Sequence, residues 1–263
     1  MRTLTTRLVA ISGAFAITLG AAACSKNDTP STSGSSTTSS SSASVGSSAS
    51  TPATTDSSSA PAANGAPKAA DILEKAKTNA LAAKSGAFAG QVDQAGKKIN
   101  IDFKGTSDGK TADIAIEMEG DGRARVISVG DGVYIQGDST FWKKQGAPAK
   151  VQSAGQKFIK APSSAGAMTQ SLSLKSFLEK AFGAVTPQQL SSTVGSENVG
   201  GVDCWVVTDK KGKGEGALYV SKDKLQVVRF TGSASSPGQL DFSKWNEDLG
   251  IKAPAASQVM SIG

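Results

Sequence analysis

Lys98-Ile99-Asn100-Ile101-Asp102-Phe103-Lys104 and, after a short break, Ala112-Asp113-Ile114-Ala115-Ile116-Glu117-Met118-Glu119 are the runs that decide the fold. Apolar and polar side chains alternate through both. Successive side chains of an extended strand point to opposite faces, so Ile99, Ile101 and Phe103 share one face of the first run. Ala112, Ile114, Ile116 and Met118 do the same in the second. Strands of this kind keep one face on a core and the other in water, as antiparallel sheets do. Asp108-Gly109 stands between the runs, and Asp121-Gly122 and Asp131-Gly132 follow at spacings of 13 and 10 residues. Such pairs tolerate the positive φ angles of tight hairpin turns. The pattern therefore predicts an up-and-down meander that continues through 123–129 and 133–136. Calcium loops are the other reading of Asp-Gly. Calcium needs further oxygen ligands at regular offsets, which none of these loops supplies, so plain turns are favoured.

Outward toward the N-terminus, Ala70 to Lys84 reads as a helix, with Ile72, Leu73, Ala76, Ala80 and Ala83 near one face and Gly86 as a stop. Toward the C-terminus an insert, Phe141 to Gly183, breaks the meander. It opens on the aromatic-basic step Phe141-Trp142-Lys143-Lys144. Val151, Ala154 and Phe158 suggest a short helix ended by Pro162. Leu174, Phe177, Leu178, Ala181 and Phe182 follow a Ser173 N-cap at i, i+3, i+4, i+7 and i+8, the spacing of an amphipathic helix. Residues 143–180 hold seven lysines and a single acid, Glu179. This reads either as a solvated face over a docked apolar one or as a basic rim suited to anionic headgroups. Strands resume at 193–199, 202–209, 215–221, 224–231 and 239–243. Cys204 shares an apolar face with Val202 and Val206. It reads as a core residue, because no second cysteine or histidine accompanies it.

The N-terminal part of the 263-residue chain is of another kind. Arg2 and Arg7 precede an apolar run, Leu8 to Leu19, that is too short to span a bilayer and suits a signal peptide. Ala21-Ala22-Ala23 then leads into Cys24. The arrangement resembles a bacterial lipobox, although Leu is commoner than Ala at the position of Ala21. The expectation is a signal peptide over 1–23, lipidation of Cys24, and a tether to residue 67. An ordinary secretory signal cut near Ala23 is the competing reading. The tether is rich in Ser, Thr, Ala and Pro, with no apolar periodicity to offset the entropy of ordering it. As a flexible coil its 43 residues after Cys24 reach roughly 35 Å. Residues 68–263 are then one folded domain.

Composition argues against several functions, although glycosidase carboxylates far apart in sequence stay open. Histidine is absent, which removes the commonest general base and metal ligand. There is no Gly-x-Ser-x-Gly elbow and no distinctive carboxylate pair. The domain's 25 Lys and Arg against 20 Asp and Glu form no aromatic-interleaved stripe of the kind nucleic acid requires. The expectation is a non-enzymatic monomer without metal, cofactor or nucleic-acid partner.

The order of lipobox, tether, helix, meander, amphipathic insert and second meander resembles the LppX/LprG-type actinobacterial lipoproteins, and more distantly the LolA/LolB lipoprotein-sorting proteins. Val133-Tyr134-Ile135, Gly200-Gly201-Val202-Asp203-Cys204-Trp205-Val206-Val207, Ala217-Leu218-Tyr219-Val220 and Leu225-Gln226-Val227-Val228-Arg229-Phe230 carry the likeness. It implies an α+β fold, a curved half-open antiparallel sheet of two meanders wrapped over a few helices, with an apolar cavity for acyl chains. Ile99, Ile101, Phe103, Ile114, Ile116, Met118, Val133, Ile135, Cys204 and Val206 would line that cavity, and Phe177, Leu178 and Phe182 would cover it. Lys143, Lys144, Lys157 and Lys160 would form a headgroup rim. The implied role is a lipid-anchored protein on the outer face of the cell membrane that carries an acylated lipid or glycolipid and exchanges it with an envelope transporter. Side chains closing the core would instead favour a non-enzymatic adaptor or stress sensor that binds an envelope protein.

Overall fold

The computed structural model describes residues 67–162 and 172–260. The segments read as signal peptide, lipidated Cys24 and tether lie outside the described residues, apart from Pro67, as does 163–171 of the insert. Helix α1, Ala69–Ala82, buries Ala69, Ile72, Leu73, Ala76 and Ala80, the stripe expected from its spacing. Its alanines let the backbone lie close against neighbouring elements. Asn79 ties it down, its side-chain amide donating to the Lys224 and Leu225 carbonyls at 3.1 Å each.

Twelve strands form one open, curved sheet among the described residues. The first meander is β1 (Ser85–Gln94), β2 (Lys97–Thr106), β3 (Thr111–Met118), β4 (Gly122–Val129), β5 (Gly132–Gly137) and the short β6 (Phe158–Lys160). The second is β7 (Gly195–Val199), β8 (Val202–Asp209), β9 (Gly212–Ser221), β10 (Val227–Ser233) and β11 (Ser236–Ser243). A final strand, β12 (Val259–Met260), lies parallel to β6. All other pairings are antiparallel, and the order is β12-β6-β5-β4-β3-β2-β1-β11-β10-β9-β8-β7. Sequential hairpins therefore build each half, and a single pairing, β1 with β11, joins them. The α+β class and the curved antiparallel sheet agree with the expectation.

Three features differ from the sequence reading. Strand β1 begins where Gly86 was read as a helix stop, and its ten residues pair with β2 along their whole length. The link between those strands is a two-residue turn in which Ala95 and Gly96 both take positive φ, 55° and 77°, the backbone that matches the twist of a hairpin. Phe158 is not helical. Helix α3, Ala149–Gln152, stops after one turn, Gly155 turns the chain at φ 62°, and Phe158 enters β6. The third Asp-Gly pair turns at the preceding glycine, since positive φ falls on Gly130 and not on Gly132.

Two further helices complete the insert. Helix α2, Ser139–Lys144, starts at Asp138, whose carboxylate accepts from the Phe141 and Arg123 amides at 2.8 and 3.0 Å. One residue thus caps α2 and fixes it to the start of β4. Helix α4, Leu174–Gly183, is capped as its sequence predicts, with Ser173 Oγ accepting from the Ser176 amide at 3.1 Å. The main core lies between the sheet and helices α1 and α4, and a second gathers under α2 and α3 around Phe141, Trp142, Val151 and Ile159.

Candidate functional site

Antiparallel register sets the expected lining residues side by side. Phe242, Phe88, Phe103, Ile114, Val126, Ile135 and Ile159 are successive cross-strand partners from β11 through β6. All seven are buried. Leucines 174 and 178 of α4 and Leu73 of α1 join this row, and the rings fill the space beneath the helices. Phe88 stacks on Phe103 at 4.7 Å and on Phe177 at 4.2 Å between ring centres, with Phe242 5.3 Å away. Trp245 stacks on Phe242 in turn, at 5.8 Å, and its indole N–H donates to the Val227 carbonyl. This half of the concave face is a packed core.

The next row differs. Leu240, Gly90, Ile101, Ile116, Ala124 and Gly137 are cross-strand partners. Ile101, Ile116 and Ala124 are half-buried, as is Met118 of the row beyond. These four residues belong to the lining of an open cleft of about 770 Å³ along β2–β5, which Asn100, Asp102, Glu117, Arg123, Arg125 and Gln136, the residues that alternate with them, line as well. The side chains shrink from Ile to Ala to Gly toward α2. At Gly137 there is no room for a side chain, because the Phe141 ring and Trp142 lie against its Cα.

The residues that alternate with this strip carry paired charges on the opposite face of the sheet. Arg123 meets Glu117 at 3.0 Å, and Arg125 forms a two-pronged pair with Asp113 at 2.7 and 2.8 Å. Asp121, in the β3–β4 turn at the cleft's end, is bridged by Lys97 at 2.7 Å and Lys144 at 3.3 Å. Those two ammonium groups hold its carboxyl below the ordinary value, Lys97 more than Lys144.

The residues expected to line one cavity are thus divided among several places. Ile101, Ile116 and Met118 reach the cleft. Ile99 is at the edge of burial, and Phe177 is half-buried against the ring stack. Phe103, Ile114, Leu178 and Phe182 are enclosed in the main core, and Val133 and Ile135 in the core under α2 and α3. Cys204 and Val206 do not belong to this face at all, which corrects the expectation. They cluster with Ala217 and Tyr219, while the alternate residues Trp205 and Val207 join the core with α1. Strand β8 is apolar on both faces, so alternation alone does not say which one meets the helices. Cys204 is fully buried, its Sγ donates to the Val202 carbonyl at 3.4 Å, and burial pushes its thiol above the ordinary value. It packs as a small apolar residue and is a poor nucleophile.

The lysines of the expected rim also separate. Lys144 sits at the cleft's end through Asp121, and Lys157 follows the lining residue Gln156. Lys160 pairs across the sheet with Tyr134, on the face opposite Ile135 and Ile159, so it is no part of a rim over the apolar strip. Sequence reasoning missed Ala124, which is small and sits in the less regular β4. It also missed the two arginine pairs, whose partners stand opposite or diagonal only once the register is known.

The arrangement is an α+β one, an open curved antiparallel sheet with helices on its apolar face. No family model matches the chain, and no curated protein matches it by sequence. Among solved structures it is similar to the lipoprotein LppX of Mycobacterium tuberculosis, with 12% identity, a TM-score of 0.42, and coverage of 70% of this chain and 98% of that one. It is also similar to LprF from Mycobacterium bovis, with 12% identity, a TM-score of 0.46, and 72% and 97% of the two chains covered. A LolA superfamily protein from Nitrosomonas europaea matches at 11% identity and a TM-score of 0.24, over 72% of this chain and 96% of that one.

Proposed function

We propose that this chain is an envelope lipoprotein, held at the membrane through Cys24 and its tether, that binds and carries an acylated lipid or glycolipid on the concave face of its sheet. The supporting observation is the half-buried strip Ile101, Ile116, Met118 and Ala124, adjacent in register on the face that carries the helices. Apolar side chains in adjacent register and partly open to solvent are what an acyl chain needs.

The strip is small, and its size bounds the binding. Ile101, Ile116 and Ala124 span three strands, or about 10 Å at the usual spacing, whereas an acyl chain in one leaflet reaches roughly 15 Å. A strip shorter than one acyl chain leaves part of the ligand exposed, which suits a carrier that must hand its cargo to an envelope transporter. The ligand does no chemistry here, and the protein is not an enzyme.

Replacing Ile116 by Trp places an indole across the strip. The expected result is at least a ten-fold loss of affinity for a fluorescent fatty acid such as cis-parinaric acid, with the unfolding midpoint nearly unchanged. Undiminished binding by the folded variant would remove the cleft from consideration. That outcome would favour a second reading, supported by the ring stack that fills the space under α4: an adaptor that works through its outer surface on an envelope protein.

A further inference from the structure

The positive surplus of the domain has one address. Residues 68–263 carry 25 Lys and Arg against 20 Asp and Glu, and residues 143–180 hold 7 of those bases and 1 of those acids. The remainder, 18 bases to 19 acids, is neutral to within one charge. Four of the seven lysines, Lys143, Lys144, Lys150 and Lys157, belong to α2, α3 and the link that follows, an assembly held by its own core of Phe141, Trp142, Val151 and Ile159. All four are exposed. Among the described residues only Lys144 of these four meets a carboxylate, Asp121 at 3.3 Å. Elsewhere the charges answer one another, as Arg123 does with Glu117, Arg125 with Asp113, and Arg229 with Asp241.

We propose that this α2–α3 face docks the domain on an anionic bilayer surface. The choice of base supports a diffuse anionic surface. The patch contains lysine and no arginine. An ammonium on a flexible stem acts as a point charge toward a fluid array of headgroups, whereas bidentate recognition of one fixed phosphate calls for arginine. Its exposed neighbours Gly146, Pro148, Ala149 and Gly155 are small and uncharged, so nothing bulky keeps the lysines from a plane of headgroups. The inference rests on the envelope reading only in naming the bilayer as the anionic surface nearest to hand. It does not need the acyl strip.

The test uses the chain lacking residues 1–24, which retains every described element, and vesicles of phosphatidylcholine with or without one third phosphatidylglycerol. The native sequence is expected to co-sediment with the anionic vesicles only, and to release as salt rises and screens the attraction. Each lysine near such a surface is worth about five-fold in partitioning. The variant Lys143→Gln, Lys150→Gln, Lys157→Gln should therefore bind about a hundred-fold less well. A control of equal net charge, Lys75→Gln, Lys210→Gln, Lys252→Gln, should stay within a few-fold of native. The proposal is overturned if the two variants lose binding equally or if the native chain ignores anionic vesicles. Ile116→Trp should keep vesicle binding while the lysine variant keeps cis-parinaric acid binding, so failure here and failure of the carrier reading are separable.

Discussion

Replacing Phe88 by Ala is expected to lower the unfolding free energy by about 3–5 kcal/mol. Phe88 is buried at the middle of the twelve-stranded sheet, where its ring meets Phe103, Phe177 and Phe242. Truncation removes the transfer free energy of a phenyl ring and leaves a cavity that three neighbouring rings, each fixed by its own strand or helix, fill poorly. It also removes two stacked pairs and a tilted one, which contribute beyond burial alone. For a domain of this size the melting temperature should fall by roughly 10 °C. The loss should appear as a single transition, because β1 joins both halves through its partners β2 and β11. A fall below about 1 kcal/mol, the effect of an ordinary substitution, would contradict the placement of β1 at the junction.

The same strand carries the second large effect. Gly90 pairs with Leu240 on one side and Ile101 on the other. A Cβ there would overlap the Gln239 carbonyl oxygen and lie 2.9 Å from the carbonyl carbon and 3.1 Å from Leu240 Cα. These are backbone atoms of β11 and have no rotamer through which to yield. Gly90→Ala should therefore cost about 3 kcal/mol or more in urea denaturation. Gly183, at the end of α4, supplies the contrast. A Cβ there meets nothing within 4 Å, and Gly183→Ala should be neutral or stabilise by up to about 1 kcal/mol. Equal effects at the two sites would mean that β1 and β11 are not packed as closely as their register implies.

That β1 is the strand most sensitive to change, and also one the sequence leaves unread, has a physical reason. Ser85-Gly86-Ala87-Phe88-Ala89-Gly90 contains small residues of low strand propensity and two glycines, so nothing local marks it as extended. Its strand character comes from β2 and β11 on either side. By contrast, β2 and β3 were legible because Ile99 to Met118 alternates strictly, and α4 was legible because its cap and its spacing agree. Alternation tells which residues share a face but not how far the helices extend over it. Phe103 and Ile101 are equivalent in the pattern. Helix α4 covers the row of Phe103 and leaves that of Ile101 half open, so the extent of the cleft could be read only from the packed structure. Cys204 and Val206 were misplaced for a related reason, since β8 offers two apolar faces and only the docking of α1 selects between them.

The central claim is that the half-open strip of the sheet holds acyl chains. Native mass spectrometry of the chain lacking residues 1–24, after exposure to an envelope lipid extract and removal of free lipid, tests it most directly. The expected spectrum shows adducts with the masses of acylated lipids, lost on organic extraction and diminished in Ile116→Trp. A spectrum of the bare polypeptide alone would contradict the carrier reading and turn attention to the outer surface of the domain.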